Sequence, residues 1–182
     1  TVKSLMSSGV YVEPKPFSVG VRIEHLQSDI DNALYGDFAG APSLGKAQYT
    51  LSKKFDNRAV YSFCMCPGGV IAPCATDVEE VVTNGWSPSK RDQITANSGI
   101  VVELKLEDFK PYEKHGALAG MYFQKEIENT AWKVAGKTQQ VPAQRMVDFS
   151  NKKRSESLPK TSYVPGVVSS ELGDVFPNFL TE

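Results

Sequence analysis

Cysteine occurs three times in 182 residues, an odd and small number that does not make the disulfide framework of a secreted domain. Histidine occurs twice, at His25 and His115, too sparsely to build a metal site by itself. No apolar run reaches the ~18 residues that a membrane-crossing helix needs, and no basic-then-apolar leader opens the chain. Charge of one sign is missing as well. Lys plus Arg number 20 against 21 Asp plus Glu, a net charge of −1, so bulk electrostatics draws the protein neither to nucleic acid nor to an acidic membrane surface. These absences predict a cytoplasmic protein with no nucleic-acid and no membrane partner. There is no Met at Thr1, and the closing "ELGDVFPNFLTE" reads as an amphipathic helix interrupted at Pro177 without a polar tail, so we expect a piece of a longer chain.

What is present is a series of short apolar runs. "KPFSVGVRIEH" places Phe17, Val19, Val21 and Ile23 at every second residue, the period of a half-buried strand. "SDIDNALYG" predicts a short helix capped by Ser28, with Asp31 as the reciprocal partner and Gly36 after its end. "AQYTLSKK" and "RAVYSFCMC" flank the polar turn "FDNR" and are expected to pair antiparallel. "GGVIAPCAT", "EEVVTNG" and "GIVVELK" continue the rhythm. Between the last two, "WSPSKRDQ" predicts a helix start with Ser87 as cap and Pro88 at the first position. From Leu118 to Val134 apolar residues recur at three to five positions, and Gly136 stands where a helix stops, which predicts one long helix. "TQQVPAQRMVDF" reads as extended, and "SNKKRSESLPKTSY" as a basic, solvated surface loop. The expected fold is α+β: a mostly antiparallel sheet or small open barrel of short strands, followed by a helical section. Residues 1–11 are expected to be a remnant of a preceding segment, 12–110 the sheet-rich part and 111–182 the helical part, with the basic loop near 150–162.

The segment "YSFCMCPGG", Tyr61 to Gly69, poses the chemical question. On a regular strand Tyr61, Phe63 and Met65 share the core face, while Ser62, Cys64 and Cys66 share the other. A zinc site wants four ligands, and here a C-x-C meets only the lone Cys74 and two distant histidines. A Cys64–Cys66 disulfide is awkward, because side chains two residues apart on a strand run parallel about 6.6 Å apart. A redox pair would favour C-x-x-C at a helix start. Small thiols on a low-profile wall, prolonged by Pro67-Gly68-Gly69, are the favoured reading.

Seven segments in order, "KPFSVGVRIEH", "YGDFAGAPSLGKAQYTL", "VYSFCMCPGG", "VVTNGWSPSKRD", "ANSGIVVEL", "LAGMYFQKEIE" and "VPAQRMVDF", resemble the bacterial family of FAD-dependent dehydrogenases, also described as NAD(FAD)-utilising dehydrogenases. The resemblance is to that family's middle portion and covers the chain from about Val12 onward. The chain departs from the pattern at Leu26, at Trp86 and in "IAPCA" around Cys74. It implies a substrate-side cap domain of a flavin-dependent oxidoreductase, inserted between Gly-rich segments that hold the FAD, with NAD(P)H as a possible electron donor. Neither "GVRIEH" nor Gly68-Gly69 supplies the G-x-G-x-x-G turn that binds a pyrophosphate, so no tightly bound cofactor is expected on this chain alone, and its partner is the FAD-binding domain of the same polypeptide.

Small side chains and bare backbone suit the approach of a broad flat ring, so Cys64, Cys66, Pro67, Gly68, Asn84 and Gly85 are the expected flavin-facing residues. Arg91 and Gln144 are the expected substrate-side residues, and Asp92, Arg145 and His25 are weaker candidates. Arg22 and Glu24 share a strand face and are expected to form a surface pair. No residue is assigned a catalytic role and none a metal. Two rival readings remain open: a free-standing binding or interaction module without flavin, and a small thiol or metal-binding protein.

Overall fold

The computed structural model describes residues 1–181 and shows an α+β fold. In chain order it contains α1 (Val2–Ser7), β1 (Ser18–Leu26), α2 (Gln27–Tyr35), β2 (Ser52–Phe55), β3 (Arg58–Cys66), β4 (Val70–Pro73), β5 (Thr83–Trp86), β6 (Thr95–Glu103), α3 (Ala119–Val134), β7 (Val141–Ala143), α4 (Met146–Ser150) and β8 (Val167–Ser169). A run of 3-10 turns, Leu106–Leu118, leads into α3. Four strands form one antiparallel sheet in the order β1-β6-β3-β2. β4 pairs antiparallel with β5, and β7 pairs parallel with β8. The sheet does not close into a barrel.

The period-two pattern of β1 decides which face is which. Phe17 and Val19 pack with Leu104, Phe109 and Phe123, and Phe17 stacks on Phe109 with ring centroids 5.2 Å apart. α3 turns Ala119, Phe123, Ile127 and Ala131 toward this core, the three-to-four spacing expected of a helix with one buried stripe. Ser18, Arg22 and Glu24 take the opposite face, where they meet Tyr61, Asn97 and Ser162. The hairpin turn of β2 and β3 lies at Asp56-Asn57, within the predicted "FDNR". At one corner Arg58 grips Asp108 with two bonds of 2.6 Å and also donates to the Glu103 carbonyl.

Five local expectations need correction. "TQQVPAQRMVDF" is extended only at Val141–Ala143, and Met146–Ser150 turns into α4. α2 begins at Gln27 with Leu26 at its N-cap, not at Ser28, because Asp31 accepts from the Ala47 backbone N–H instead of closing a capping box. Residues 87–94 form no helix: Arg91 sits at φ 50, and Gln93 N–H donates to the Gly68 carbonyl, which folds this segment back over the Gly68 turn. The closing amphipathic helix is replaced by two 3-10 turns, Leu172–Asp174 and Asn178–Leu180, on either side of Pro177; its last predicted residue, Glu182, lies outside the described residues. The basic loop is largely exposed but anchored, since Ser155 and Tyr163 are buried and Ser155 donates to the Asp148 carboxylate.

Candidate functional site

The alternation predicted across "YSFCMC" fails at a β-bulge. Phe63 pairs with Gly99 and Cys66 with Asn97, so Cys64 and Met65 oppose the single residue Ser98. Cys64 takes the left-handed conformation at φ 47, which a non-glycine residue adopts only when its surroundings force it. Ahead of the bulge Tyr61 and Phe63 already take the polar face, not the core face, with Tyr61 bonded to Ser18 and Phe63 56% exposed; past it Cys64 is exposed and Cys66 is buried. The two thiols therefore do not lie side by side on a flat wall. Cys66 Sγ instead contacts the Cys64 carbonyl at 3.3 Å, and burial pushes the Cys66 thiol above its ordinary range.

Around this bulge the structure gathers residues from five segments. Arg22 Nη1 donates to Asn97 Oδ1 at 2.7 Å and to the Cys64 carbonyl at 3.3 Å, while Nη2 donates to Asn84 Oδ1 at 3.3 Å. Gly85 must be glycine here, because a Cβ would stand 1.9 Å from Asn97 Oδ1 and 2.5 Å from Arg22 Nη1. β5 thus lies directly on the Arg22–Asn97 bond. Arg22 and Glu24 do not pair with each other. Glu24 accepts from the Ser162 backbone N–H and hydroxyl, and the same hydroxyl accepts from Ile71 N–H, which ties the basic loop to the polar face.

Gln27 closes the site from below. Its Oε1 accepts from Gly68 N–H at 2.7 Å, and its Nε2 donates to Asp31 Oδ1 at 2.8 Å and to the Ala47 carbonyl at 3.0 Å. Burial raises the Asp31 carboxyl, but the Ala47 N–H, Gln27 and Lys46 outweigh it and hold Asp31 below its ordinary value. Behind the sheet, His25 and Tyr49 share a 2.9 Å hydrogen bond, and burial lowers the imidazole pKa. His25 Nδ1, Ser87 Oγ and Asn97 Nδ2 are buried without a partner among the described residues.

The expected flavin-facing residues separate into two groups. Cys64 and Asn84 are exposed and Gly85 is half-buried, whereas Cys66, Pro67 and Gly68 are buried within this chain. A Cβ on Gly68 would meet the Arg91 carbonyl at 1.9 Å, and one on Gly69 the Trp86 carbonyl at 2.4 Å. The room those glycines leave is filled by the chain's own backbone, so the turn is no cradle for a cofactor. The exposed Cys64 and Asn84 flank the half-buried Arg22 guanidinium on the open side of the bulge. Arg91 and Gln144 lie on separate segments. Arg91 is exposed beside the Gly68 turn, and the Gln144 amide is occupied by the Lys153 carbonyl and Leu172 N–H. Arg22 and Asn97 come together through the register of β1 and β6, Asn84 through β5 packed on them, and Gln27 through its bond to the Gly68 turn. Spacing alone could have placed Arg22 and Asn97 on one sheet face, but not Gln27 at the turn.

Two surface hollows, ≈ 200 Å³ beside Tyr112 and Phe176 and ≈ 190 Å³ beside Leu106 and Phe109, touch none of these residues. Among the described residues no three His, Cys, Asp or Glu side chains converge as a metal site, and no helix is long and apolar enough to cross a membrane.

The fold and this rim define an α+β domain with a polar sheet face that carries Arg22, Glu24 and Asn97. The chain belongs to the family described as FAD-dependent protein, C-terminal domain-like, which matches residues 16–182. It is also 38% identical over 186 residues to an uncharacterized protein of Clostridium beijerinckii, an alignment that covers 100% of this chain and 34% of the relative. The chain therefore spans about a third of the length of that relative.

Proposed function

We propose that this chain is the substrate-side cap domain of a flavin-dependent dehydrogenase and is not catalytic by itself. Membership of an FAD-dependent family, in a chain about a third the length of its relative, is the observation that carries this reading. The flavin, held by the rest of the same polypeptide, supplies the hydride chemistry. This domain supplies shape and excludes water. Cys64, Asn84, Gly85 and the open side of Arg22 form the ring-facing rim, and the buried Cys66-Pro67-Gly68 turn fixes its outline from behind. Trp86, 53% exposed beside Gly85 on β5, offers apolar surface for the cofactor-binding part to cover. An inserted position within the longer chain and a nicotinamide electron donor rest on the sequence resemblance alone.

The test compares the full-length protein with residues 12–182 expressed separately. We expect the full-length protein to purify with about one FAD per chain and the separate domain to take up none at micromolar concentration. Tight uptake of FAD by the separate domain, or a full-length protein that binds no flavin, overturns the reading.

A further inference from the structure

We propose that Arg22 is an anion-binding residue, and that the rim between Cys64 and Asn84 takes a planar carboxylate-like anion. Two arginines of the same sheet make the case by contrast. Arg58 is neutralised by Asp108 through two bonds of 2.6 Å. Arg22 is half-buried too, yet the groups it meets among the described residues carry no carboxylate: an asparagine oxygen on either side, the Cys64 carbonyl and the Cys66 thiol. No carboxylate lies within 4.0 Å of it among the described residues, and the acid two residues along, Glu24, is engaged by Ser162. Neutral dipoles hold a partly buried guanidinium in place without cancelling its charge.

The unused hydrogens point the same way. Three of the five guanidinium N–H groups are engaged, which leaves Nε–H and one Nη2–H without a partner among the described residues. Nε and Nη2 form the edge on which a carboxylate docks side-on with two parallel bonds. Beneath it, Asn97 is fully buried and its Nδ2 donor has no partner among the described residues. Asn97 Oδ1 and Asn84 Oδ1 fix the fork, and the Gly85 backbone packs against its Nη1 side, away from the Nε edge.

Two sources carry this chemistry: a carboxylate on the substrate, or the anionic pyrimidine edge of a reduced flavin. The second rests on the proposed flavin function; the first does not require it. The test uses the full-length protein and reads Trp86, the neighbour of Gly85 on β5, as the fluorescence difference from a Trp86→Phe control. Benzoate is the carboxylate probe, with flavin bound and removed, and sulfite addition to the bound flavin is read by absorbance.

Arg22→Gln removes the charge. Asn84→Asp, at an exposed position, places an internal carboxylate beside Arg22 with little risk to folding. If the substrate supplies the anion, benzoate binds both forms, and each variant weakens it about tenfold or more. If the flavin edge supplies it, flavin displaces benzoate and each variant weakens sulfite addition by a similar factor. Benzoate and sulfite affinities that stay within about twofold of the parent in both variants overturn the proposal, as does a parent protein with no saturable benzoate response and variant-independent sulfite addition. A protein that takes up no flavin yet binds benzoate through Arg22 overturns the cap-domain reading and leaves the anion site standing.

Discussion

At the end of the sheet nearest α3, Phe17, Leu104, Phe109 and Phe123 fill the interior, whereas at the far end Gln27, Asn97 and Ser98 are just as completely enclosed. The first end needs only apolar area, and its one nearby charged pair, Arg58 with Asp108, is mutually neutralised. The second end is held by directional bonds, contains backbone at φ 47 and 49, and keeps unpaired buried donors. Burial without hydrogen-bond completion costs stability. The far end tolerates that cost where Arg22 reaches the surface, which is where a ligand or another part of the protein would complete it.

Truncating the apolar end should give the largest loss. Phe123→Ala is expected to destabilise the protein by about 3–5 kcal/mol in urea unfolding while leaving benzoate affinity intact in the protein that remains folded. A loss below 1 kcal/mol would mean that this end is not the thermodynamic core. At the polar end Gln27→Leu strands Gly68 N–H and the Ala47 carbonyl, and we expect a loss of about 2–3 kcal/mol with the rim distorted as well. Gly85→Ala should cost less, about 1–2 kcal/mol, because β5 can lift away. It should nevertheless abolish the Trp86 response to benzoate, separating recognition from stability.

Acid should distinguish the two ends again. Burial, the largest influence on His25, holds its folded pKa below the ordinary 6.5, so the unfolded chain takes up the proton first as pH falls. The contribution of neutral His25 is complete above pH 6.5 and is lost below it. Asp31, whose folded pKa lies under its ordinary 3.8, contributes above that value and loses its contribution as pH falls through the folded one. Unfolding measured from pH 7.5 to 5 should therefore lose stability in wild type and lose less of it in His25→Phe. An unchanged slope in the variant would place the titration elsewhere. The smallest effect belongs to the exposed Asp77, because its partner Lys125 keeps a second partner in the buried Glu80: Asp77→Asn should leave the urea midpoint indistinguishable at moderate salt.

The apolar end was legible in advance. The two-residue period from Phe17 to Ile23, the helical spacing of residues 118–134 and the hairpin at "FDNR" each report local geometry, and each reappears as β1, α3 and the β2–β3 pair. The polar end was legible only in part. "CMCPGG" and "TNG" mark unusual backbone, yet nothing in their spacing shows that one extra residue at Cys64 re-aims the following side chains, or that Arg91 curls over Gly68. The predicted helix after Trp86 failed for that reason: a good cap signal lost to a tertiary contact.

By itself the sequence determined the fold class, the strands and long helix, and a resemblance to FAD-dependent proteins, because periodicity and motifs are carried by neighbours along the chain. The tertiary structure alone decided that Arg22 turns from Glu24 toward Asn97 and Asn84, that Cys66 is enclosed while Cys64 is not, and that Gln27 pins the Gly68 turn. Each of those outcomes depends on strand register and on one bulge, and register is set by the packing of whole faces against each other, which no short stretch of residues encodes.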